Sequence, residues 1–473
     1  MPSITTDPIT DVFKRMHARF AFVRTRTVAE RISILRRLAK RLEEREDDAE
    51  QAVFADFRKP AAEVQLSDLL PVYSEIRDAV RNLEQWAKPK RVSAPLVLAT
   101  TQAELRYEPK GVCLVIAPWN YPILLALGPM ISAVAAGNCC VIKPSEHTPH
   151  TSAFVASLIA EVFPEDEVTV VEGAVETAQR LLALPFDHIF FTGSTHVGKI
   201  VMRAAAEHLT PVTLELGGKS PAVVDRTASI KNAVAAIAMG AFSNTGQTCV
   251  RPDYVFVDQR VEREFVEALR EQLVAMYGDD PSVSPDFGRL AHAGHVQHVS
   301  GLLTEAVEAG ARVEVGGGID VADRYVAPTV LTGVPAGTRI LEQEIFGPVL
   351  VVMSYTTIEE VIRFINDRPK PLTSYYFGND KAVSEQFVSN TSAGSTVFND
   401  TLIQFLHPNT PFGGVGASGM GRSHGFAGFE TFSNVRPVLR QRMTRSPFQL
   451  VYPPYTARVR TIIRQLIDRL FKP

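Results

Sequence analysis

Cysteine is scarce in this chain, with four among 473 residues, at Cys113, Cys139, Cys140 and Cys249. So few thiols in so long a chain exclude a disulfide scaffold and fit a reducing compartment, so a cytoplasmic location is expected. The adjacent pair Cys139-Cys140 lies in an apolar run and reads as two small buried hydrophobes. An excess of charge of one sign is also missing. Lys and Arg number 49 against 52 Asp and Glu, a net charge of −3, and no basic run marks a nucleic-acid surface. Lys14, Arg15, Arg19, Arg24 and Arg26 interrupt every apolar stretch near the start, so no secretory signal is expected. No His/Cys cluster has metal-ligand spacing, and there is no solenoid repeat or low-complexity tract. Between Lys110 and Lys143 charge is absent altogether, over a length that can span a bilayer. Pro118, Asn120, Pro122, Gly128, Pro129, Gly137 and Asn138 break that run, which predicts a strand, a loop, a buried helix and a second strand.

What is present describes a globular α/β chain. Hydrophobic residues make up 45% and charged residues 21%, and the length calls for two or three packed units. Helices open the chain: Thr27 and Glu30 have capping-box spacing, and Ile32, Leu35, Leu38 and Leu42 recur at helical intervals. Residues 91–108 are β-type without a helical period and predict a hairpin or arm. From Gly111, apolar strands near 111–116, 139–142, 167–171, 188–192 and 212–215 alternate with helices near 123–136, 150–162, 175–184 and 197–208. That alternation predicts a parallel sheet covered on both faces. A second α/β series runs from about 221 to 398, with strands near 253–257, 312–315, 349–354, 373–377 and 395–398. Residues 413–421 are a glycine-rich loop.

Several short segments carry candidate chemistry. Cys249 ends Asn244-Thr245-Gly246-Gln247-Thr248-Cys249, at a helix–strand junction where nucleophiles are placed; on its own, a buried thiol explains it as well. Glu215 stands at the carboxyl end of an apolar strand, before Gly217-Gly218, where open parallel sheets keep their ligand crevice. An ion pair with Lys219 is the alternative. Phe191-Thr192-Gly193-Ser194 runs into a helix start, whose free N–H groups suit a phosphate. A capped turn explains it equally, and the G-x-G-x-x-G pattern is absent. His196, just beyond, reads as a helix-start or surface residue. Asn120 can donate to a developing oxyanion or simply form a turn. Lys143 and Glu146 can grip a ribose or merely be solvated charge.

Taken in order, the segments PWNYP (118–122), KPSE (143–146), FTGS (191–194), ELGGKS (215–220), GQTC (246–249), EIFGP (344–348) and PFGG (411–414) resemble the aldehyde dehydrogenase superfamily over nearly the whole chain. The lack of an N-terminal extension, CVRPDYV at 249–255 and YPP at 452–454 look like its class 3 branch, which includes fatty-aldehyde and coniferyl-aldehyde dehydrogenases. The resemblance implies a Rossmann-like cofactor domain (1–90 and 109–216), an α/β catalytic domain (217–430) and a β oligomerisation arm (91–108 and 431–443), hence a homodimer. It implies Cys249 as nucleophile, Glu215 as general base and Asn120 as oxyanion donor, together with the Cys249 N–H. Trp119, Lys143, Glu146, Gly193, Ser194, Gly198, Leu216, Glu344 and Phe346 match cofactor contacts, and Tyr121 and Asn399 match substrate-end positions. No metal is required. A carboxylate at Glu146 favours a ribose 2′-hydroxyl and so NAD; Lys143 nearby leaves NADP as the second cofactor. Arg251 departs from the small residue usual in that branch and is expected to point to the surface or a neighbouring loop, not to activate the thiol.

The expected reaction is oxidation of an aldehyde, aliphatic of medium or long chain or aromatic, to its acid through a Cys249 thioester hydrolysed by water. A CoA-acylating enzyme is the nearest rival, although Glu215 serves no purpose there. A cysteine esterase or acyltransferase has no use for Glu344, Phe346 and the 191–198 turn together. Beyond Pro454, Val459, Ile462, Ile463, Leu466, Ile467, Leu470 and Phe471 keep a helical period among Arg458, Arg460, Arg464, Arg469 and Lys472. This basic amphipathic helix (455–473) suits either peripheral contact with an anionic membrane or packing on the enzyme itself.

Overall fold

The computed structural model describes residues 7–472. The helix Val28–Glu43 begins with the expected reciprocal Thr27/Glu30 cap and buries Ile32, Leu35, Leu38 and Leu42. With the helix Leu70–Trp86 it covers one face of the first sheet.

That sheet runs Gly419–Met420, Val212–Leu216, His188–Gly193, Val112–Ile116, Cys139–Lys143, Val168–Val170. All neighbours are parallel except the short edge strand Gly419–Met420, which pairs antiparallel with Val212–Leu216. From Val112–Ile116 the chain winds to one side, then crosses back to His188–Gly193 on the other. The topological switch therefore lies between these two strands, and doubly wound sheets bind ligands at the carboxyl ends there. Those ends lead into Trp119-Asn120 and into Ser194. The uncharged run 111–142 supplies two central strands and the buried helix Pro122–Ala136. Among the described residues no helix is long and apolar enough to cross a membrane. Cys113, Cys139 and Cys140 are free and buried; Cys139 and Cys140 pack on opposite faces of the sheet, as strand alternation requires.

The second sheet runs Arg312–Val315, Thr329–Thr332, Val349–Tyr355, Tyr254–Asp258, Pro221–Val224, Thr373–Phe377, Ser395–Phe398, with only Arg312–Val315 antiparallel. Separate apolar clusters fill its two faces. The strands Pro221–Val224 and Thr329–Thr332 carry no sequence signal of their own: each has four residues, and pairing on both sides stabilises them.

Residues Lys90–Val92, Thr101–Pro109 and Ser433–Gln441 form a third, antiparallel sheet, with Thr101–Pro109 in the middle and a continuous register from Pro109↔Ser433 to Thr101↔Gln441. Ser433–Gln441 leaves one edge unpaired, and Leu439 is 60% exposed. The helix Ala457–Leu470 follows, with no buried residue.

Candidate active site

Cys249 is presented by a contorted turn. Asn244 (φ 52°), Thr245 (φ 55°) and Gly246 (φ 70°) are consecutive left-handed residues, all buried. Such a run costs a non-glycine residue about 1–2 kcal/mol each, so its surroundings must hold it. The Asn244 amide donates to Asn120 O (2.8 Å) and Gln247 O (3.2 Å), and its backbone N–H donates to the Glu63 carboxylate. Gln247 donates to Asn244 O at 2.9 Å and accepts from Ala291 N–H at 2.9 Å. Gly246 is under Gly347: a Cβ there would be 2.3 Å from Gly347 O.

The same latch fixes the Asn120 segment. Buried Asn120 donates through Nδ2 to Gln247 O at 3.0 Å, and Tyr121 OH and Thr248 Oγ1 are 2.5 Å apart. One amide hydrogen of Asn120 thus stays available beside the thiol loop.

Glu215 is the last residue but one of the strand Val212–Leu216, opposite Thr192 and Gly419. Ser423 Oγ donates to its Oε1 at 3.0 Å, while Oε2 is buried without a partner. Burial pushes this carboxyl up to about 7, against Ser423 and the nearby His424 and Arg422. The Cys249 thiol is pushed up to about 12, first by burial and then by the carboxylates of Glu344 and Glu215; the N–H groups of Cys249 and Val250 act the other way. At neutral pH the resting thiol is protonated.

Two cavities meet at Cys249. A mainly apolar pocket of about 220 Å³ reaches it past Leu66, Pro71, Met239, Leu402 and Leu406. A narrow cavity of about 50 Å³ joins it to Glu215, Ser423 and His424. Cys249 is the one nucleophilic side chain lining both.

On the crevice side, Ser194 caps the helix Thr195–Ala206 by accepting from Val197 N–H at 3.3 Å, leaving the first-turn N–H groups toward solvent. Gly198 has a packing role: a Cβ there would be 2.7 Å from Leu216 Cδ2, so its absence lets the helix sit close on the strand. At Gly193 a Cβ would meet the Phe191 ring at 2.6 Å. Lys143 Nζ donates to Glu146 Oε2 at 2.7 Å; burial opposes the Glu146 charge, but Lys143 holds the carboxyl below its usual range. Glu344 has Oε1 buried without a partner and is pushed up to about 8, by burial and then by Asp253. Its Oε2 would touch a Cβ on Gly217 at 2.0 Å. Phe346 takes φ 52°; its carbonyl is 2.7 Å from His295 Nε2, and its ring meets Trp119 edge-on at 5.3 Å.

A nicotinamide dinucleotide fits these residues. The open helix start suits its phosphates, Glu146 and the unpartnered Glu344 oxygen suit ribose hydroxyls, and Gly217 lets the Glu344 carboxylate lie close against the backbone.

Two expectations change, at Arg251 and Asn399, and the alternative pairing of Glu215 with Lys219 falls away. Arg251 does not point to the surface: it is 1% exposed, donating to Asp253 Oδ1 (2.6 Å), Val349 O (2.7 Å) and Ala241 O (3.2 Å). It braces the strand after the thiol loop, because three acceptors converge on that interior position. Lys219 pairs with Asp253 at 2.5 Å rather than with Glu215. Asn399 lines neither cavity: it is exposed, and its amide accepts from Gly378 N–H (2.9 Å) and donates to Gly378 O (3.2 Å), stabilising its own φ of 56°. His196 is exposed in the first turn of its helix. Among the described residues no cluster of three or more His, Cys, Asp or Glu could hold a metal. No motif marks Glu75, Ser423 or His424, which line one cavity with Glu215 from distant segments.

Residues 1–438 match the model described as the aldehyde dehydrogenase family. A 4,4'-diaponeurosporen-aldehyde dehydrogenase from Staphylococcus aureus is 41% identical over 445 residues, 94% of this chain and 96% of the relative. Aldehyde dehydrogenase family 3 member B1 from Rattus norvegicus is 40% identical over 453 residues, 96% of each. A solved structure described as the substrate-bound state of Staphylococcus aureus AldH superposes with a TM-score of 0.92 at 40% identity, covering 97% of this chain and 100% of that one. PnpE in complex with nicotinamide adenine dinucleotide gives 0.85 at 29% identity, over 92% and 90%. An E. coli NADP-dependent enzyme gives 0.85 at 27%, over 92% and 90%.

Proposed function

The chain belongs to the aldehyde dehydrogenase family, and on that premise we propose that it oxidises a medium- or long-chain aliphatic or aromatic aldehyde to the free acid, with Cys249 as nucleophile and Glu215 as base. The carrying observation is that Cys249 stands where the apolar pocket and the Glu215 cavity join. An aldehyde tail fits the first, and water fits the second.

The aldehyde carbon holds its hydrogen firmly while trigonal. Attack by the Cys249 sulfur makes it tetrahedral and puts negative charge on oxygen. The thiol must first lose its proton, and Glu215, with a pKa of about 7, is the base on the same cavity. The Asn120 amide and the Cys249 N–H stabilise the oxyanion, each such donor being worth roughly 10²–10³ in rate. When bound, the nicotinamide supplies the acceptor for the departing hydride. The thioester left on Cys249 is then opened by water, whose proton Glu215 accepts. Sulfur leaves the acyl carbon and is reprotonated.

Trp119, Lys143, Glu146, Gly193, Ser194, Gly198, Leu216, Glu344 and Phe346 are proposed to surround the cofactor. Glu146 favours NAD, since its carboxylate would repel a 2′-phosphate. NADP is the second reading, because Lys143 offers that phosphate a cation; solved relatives carry either name. The free thiols fit a cytoplasmic enzyme.

The test is a panel of short aliphatic, long aliphatic and aromatic aldehydes, scored by kcat/KM with each cofactor, with and without CoA. Free acid at a CoA-independent rate, and kcat/KM rising with chain length, are expected. Acyl-CoA as product would overturn hydrolysis, and preference for the shortest aldehydes would overturn the substrate class.

A further inference from the structure

Two protons have to leave this site in each turnover. Aldehyde, water and the oxidised cofactor become carboxylate, reduced cofactor and two protons. One proton comes from the Cys249 thiol on attack, and the other is the surplus proton of the hydrolytic water once sulfur is reprotonated. Glu215 takes both in the scheme above, yet it is 6% exposed, and Ser423 is the only hydrogen-bond partner of its carboxylate among the described residues. A base that cannot be emptied works once.

The cavity beside Glu215 approaches an open basin on the side away from the crevice. The narrow cavity beside Glu215 is also lined by Glu75 and His424. Its volume of about 50 Å³ exceeds the ~10–15 Å³ that one water needs. Behind His424 opens a basin of about 1060 Å³ lined by Lys88, Lys90, Arg422 and Glu430. His424 is the one residue that lines both spaces.

His424 is held for this position. Glu75, on the helix Leu70–Trp86, uses both carboxylate oxygens on the loop: Oε1 is 2.5 Å from His424 Nδ1, and Oε2 accepts from Gly425 N–H at 3.2 Å. Phe405 and Phe412 meet the imidazole edge-on at 4.6 and 5.3 Å. The residue sits at φ 69°, a conformation that side chains other than glycine's avoid. With Nδ1 committed to Glu75, Nε2 has no hydrogen bond within the described protein and is free to exchange a proton with water.

We propose that the His424–Glu75 pair is the proton outlet of Glu215, passing protons from the carboxyl through cavity water and the imidazole into the open basin. This rests on Glu215 being the base. In the relay a proton leaves Glu215 for water, a water proton binds Nε2, and the basin takes it from the ring; no bond other than O–H and N–H changes. The charges acting on the imidazole are Glu75 from the helix Leu70–Trp86 and Glu215 from the strand end; Asp78 of the same helix lies against Gly425, and Arg422 of the loop acts on Glu215. Burial alone would lower the imidazole; Glu75 and then Glu215 more than offset it and leave it above its usual 6.5. That suits exchange with a carboxyl near 7. His424 and Glu75 act through Glu215 and are positioning residues.

The test is stopped-flow measurement of NADH with saturating aldehyde and NAD on the full chain, its His424→Ala and its Glu75→Gln variant. Glu215 can accept the first proton unaided, so the first-turnover burst of His424→Ala should equal the native one. Steady-state kcat should fall about 10-fold or more near pH 7, and free imidazole should restore part of it where sodium chloride does not. In Glu75→Gln, loss of the anion should move the rising limb of kcat to lower pH. Native kcat in His424→Ala, a lowered kcat that imidazole leaves unchanged, or an unmoved limb in Glu75→Gln would overturn the relay. Loss of the burst together with kcat in His424→Ala would also overturn it. A native enzyme showing neither burst nor acid product would instead overturn the assignment of Cys249 and Glu215.

Discussion

Glu215 is the residue whose environment is most at odds with its chemistry, and its protonation can be read in two ways. Its folded-state pKa of about 7 lies above the usual 4.5. The protonated form is therefore favoured by folding. That contribution to stability is fully present below pH 4.5 and is lost as pH rises through about 7, a span worth about 3 kcal/mol at 1.4 per unit. Glu215→Gln, neutral at every pH, should match native stability near pH 5 and exceed it at pH 8, seen as a growing Tm difference. The same substitution removes the base. Both the NADH burst and steady-state turnover should fall by about 10²–10⁴, unlike the variant at His424. The rate of the native first-turnover burst should rise with pH through about 7, where the carboxylate forms. An unchanged pH profile in Glu215→Gln would show that another group limits the rate.

At the scale of elements, the turn Ser243–Gly246 decides where the nucleophile sits. Three consecutive left-handed residues are tolerated because Asn120, Gln247 and Glu63 bind the turn from other segments. Gly246→Ala adds a methyl 2.3 Å from Gly347 O at φ 70°, so something must shift. A loss of about 2 kcal/mol or more in stability is expected. It should come with a larger fall in kcat than in 1/KM, because the substrate pocket is largely built by other residues. Unfolding curves and steady-state kinetics on one preparation measure both. Asn244 and Thr245 also show where sequence reading stops. Nothing in NTGQTC announces a left-handed run, since the bonds that permit it come from residues 63 and 120.

For the whole molecule, the third sheet and the C-terminal helix offer uncovered surfaces. Ser433–Gln441 presents an unpaired, nine-residue edge with exposed Leu439. Edges of this kind are completed by a second chain or blunted by charge. A homodimer through the arm predicts that Leu439→Lys shifts the sedimentation coefficient toward the monomer while the first two sheets stay folded. After Arg436 every charged residue is basic except Asp468, although the chain as a whole is slightly acidic. The exposed helix Ala457–Leu470 then predicts flotation with anionic vesicles for the full chain and not for a chain ending at Pro454. Equal flotation would mean that the helix packs on protein.

Local pattern determined much of this protein. Apolar runs punctuated by glycine and proline marked most strands of both sheets, and the capping-box spacing of Thr27 and Glu30 marked a helix start. The order of short motifs pointed to Cys249, Glu215 and Asn120 through their resemblance to the aldehyde dehydrogenases. Tertiary structure alone decided which groups from remote parts of the chain share a space. It buried Arg251 as a brace, paired Lys219 with Asp253, turned Asn399 onto Gly378, and brought Glu75 to His424 across 349 residues. Periodicity reports which side of an element faces inward. What it meets there is fixed only when the other elements pack against it, and that packing sets the pKa values of Cys249 and Glu215.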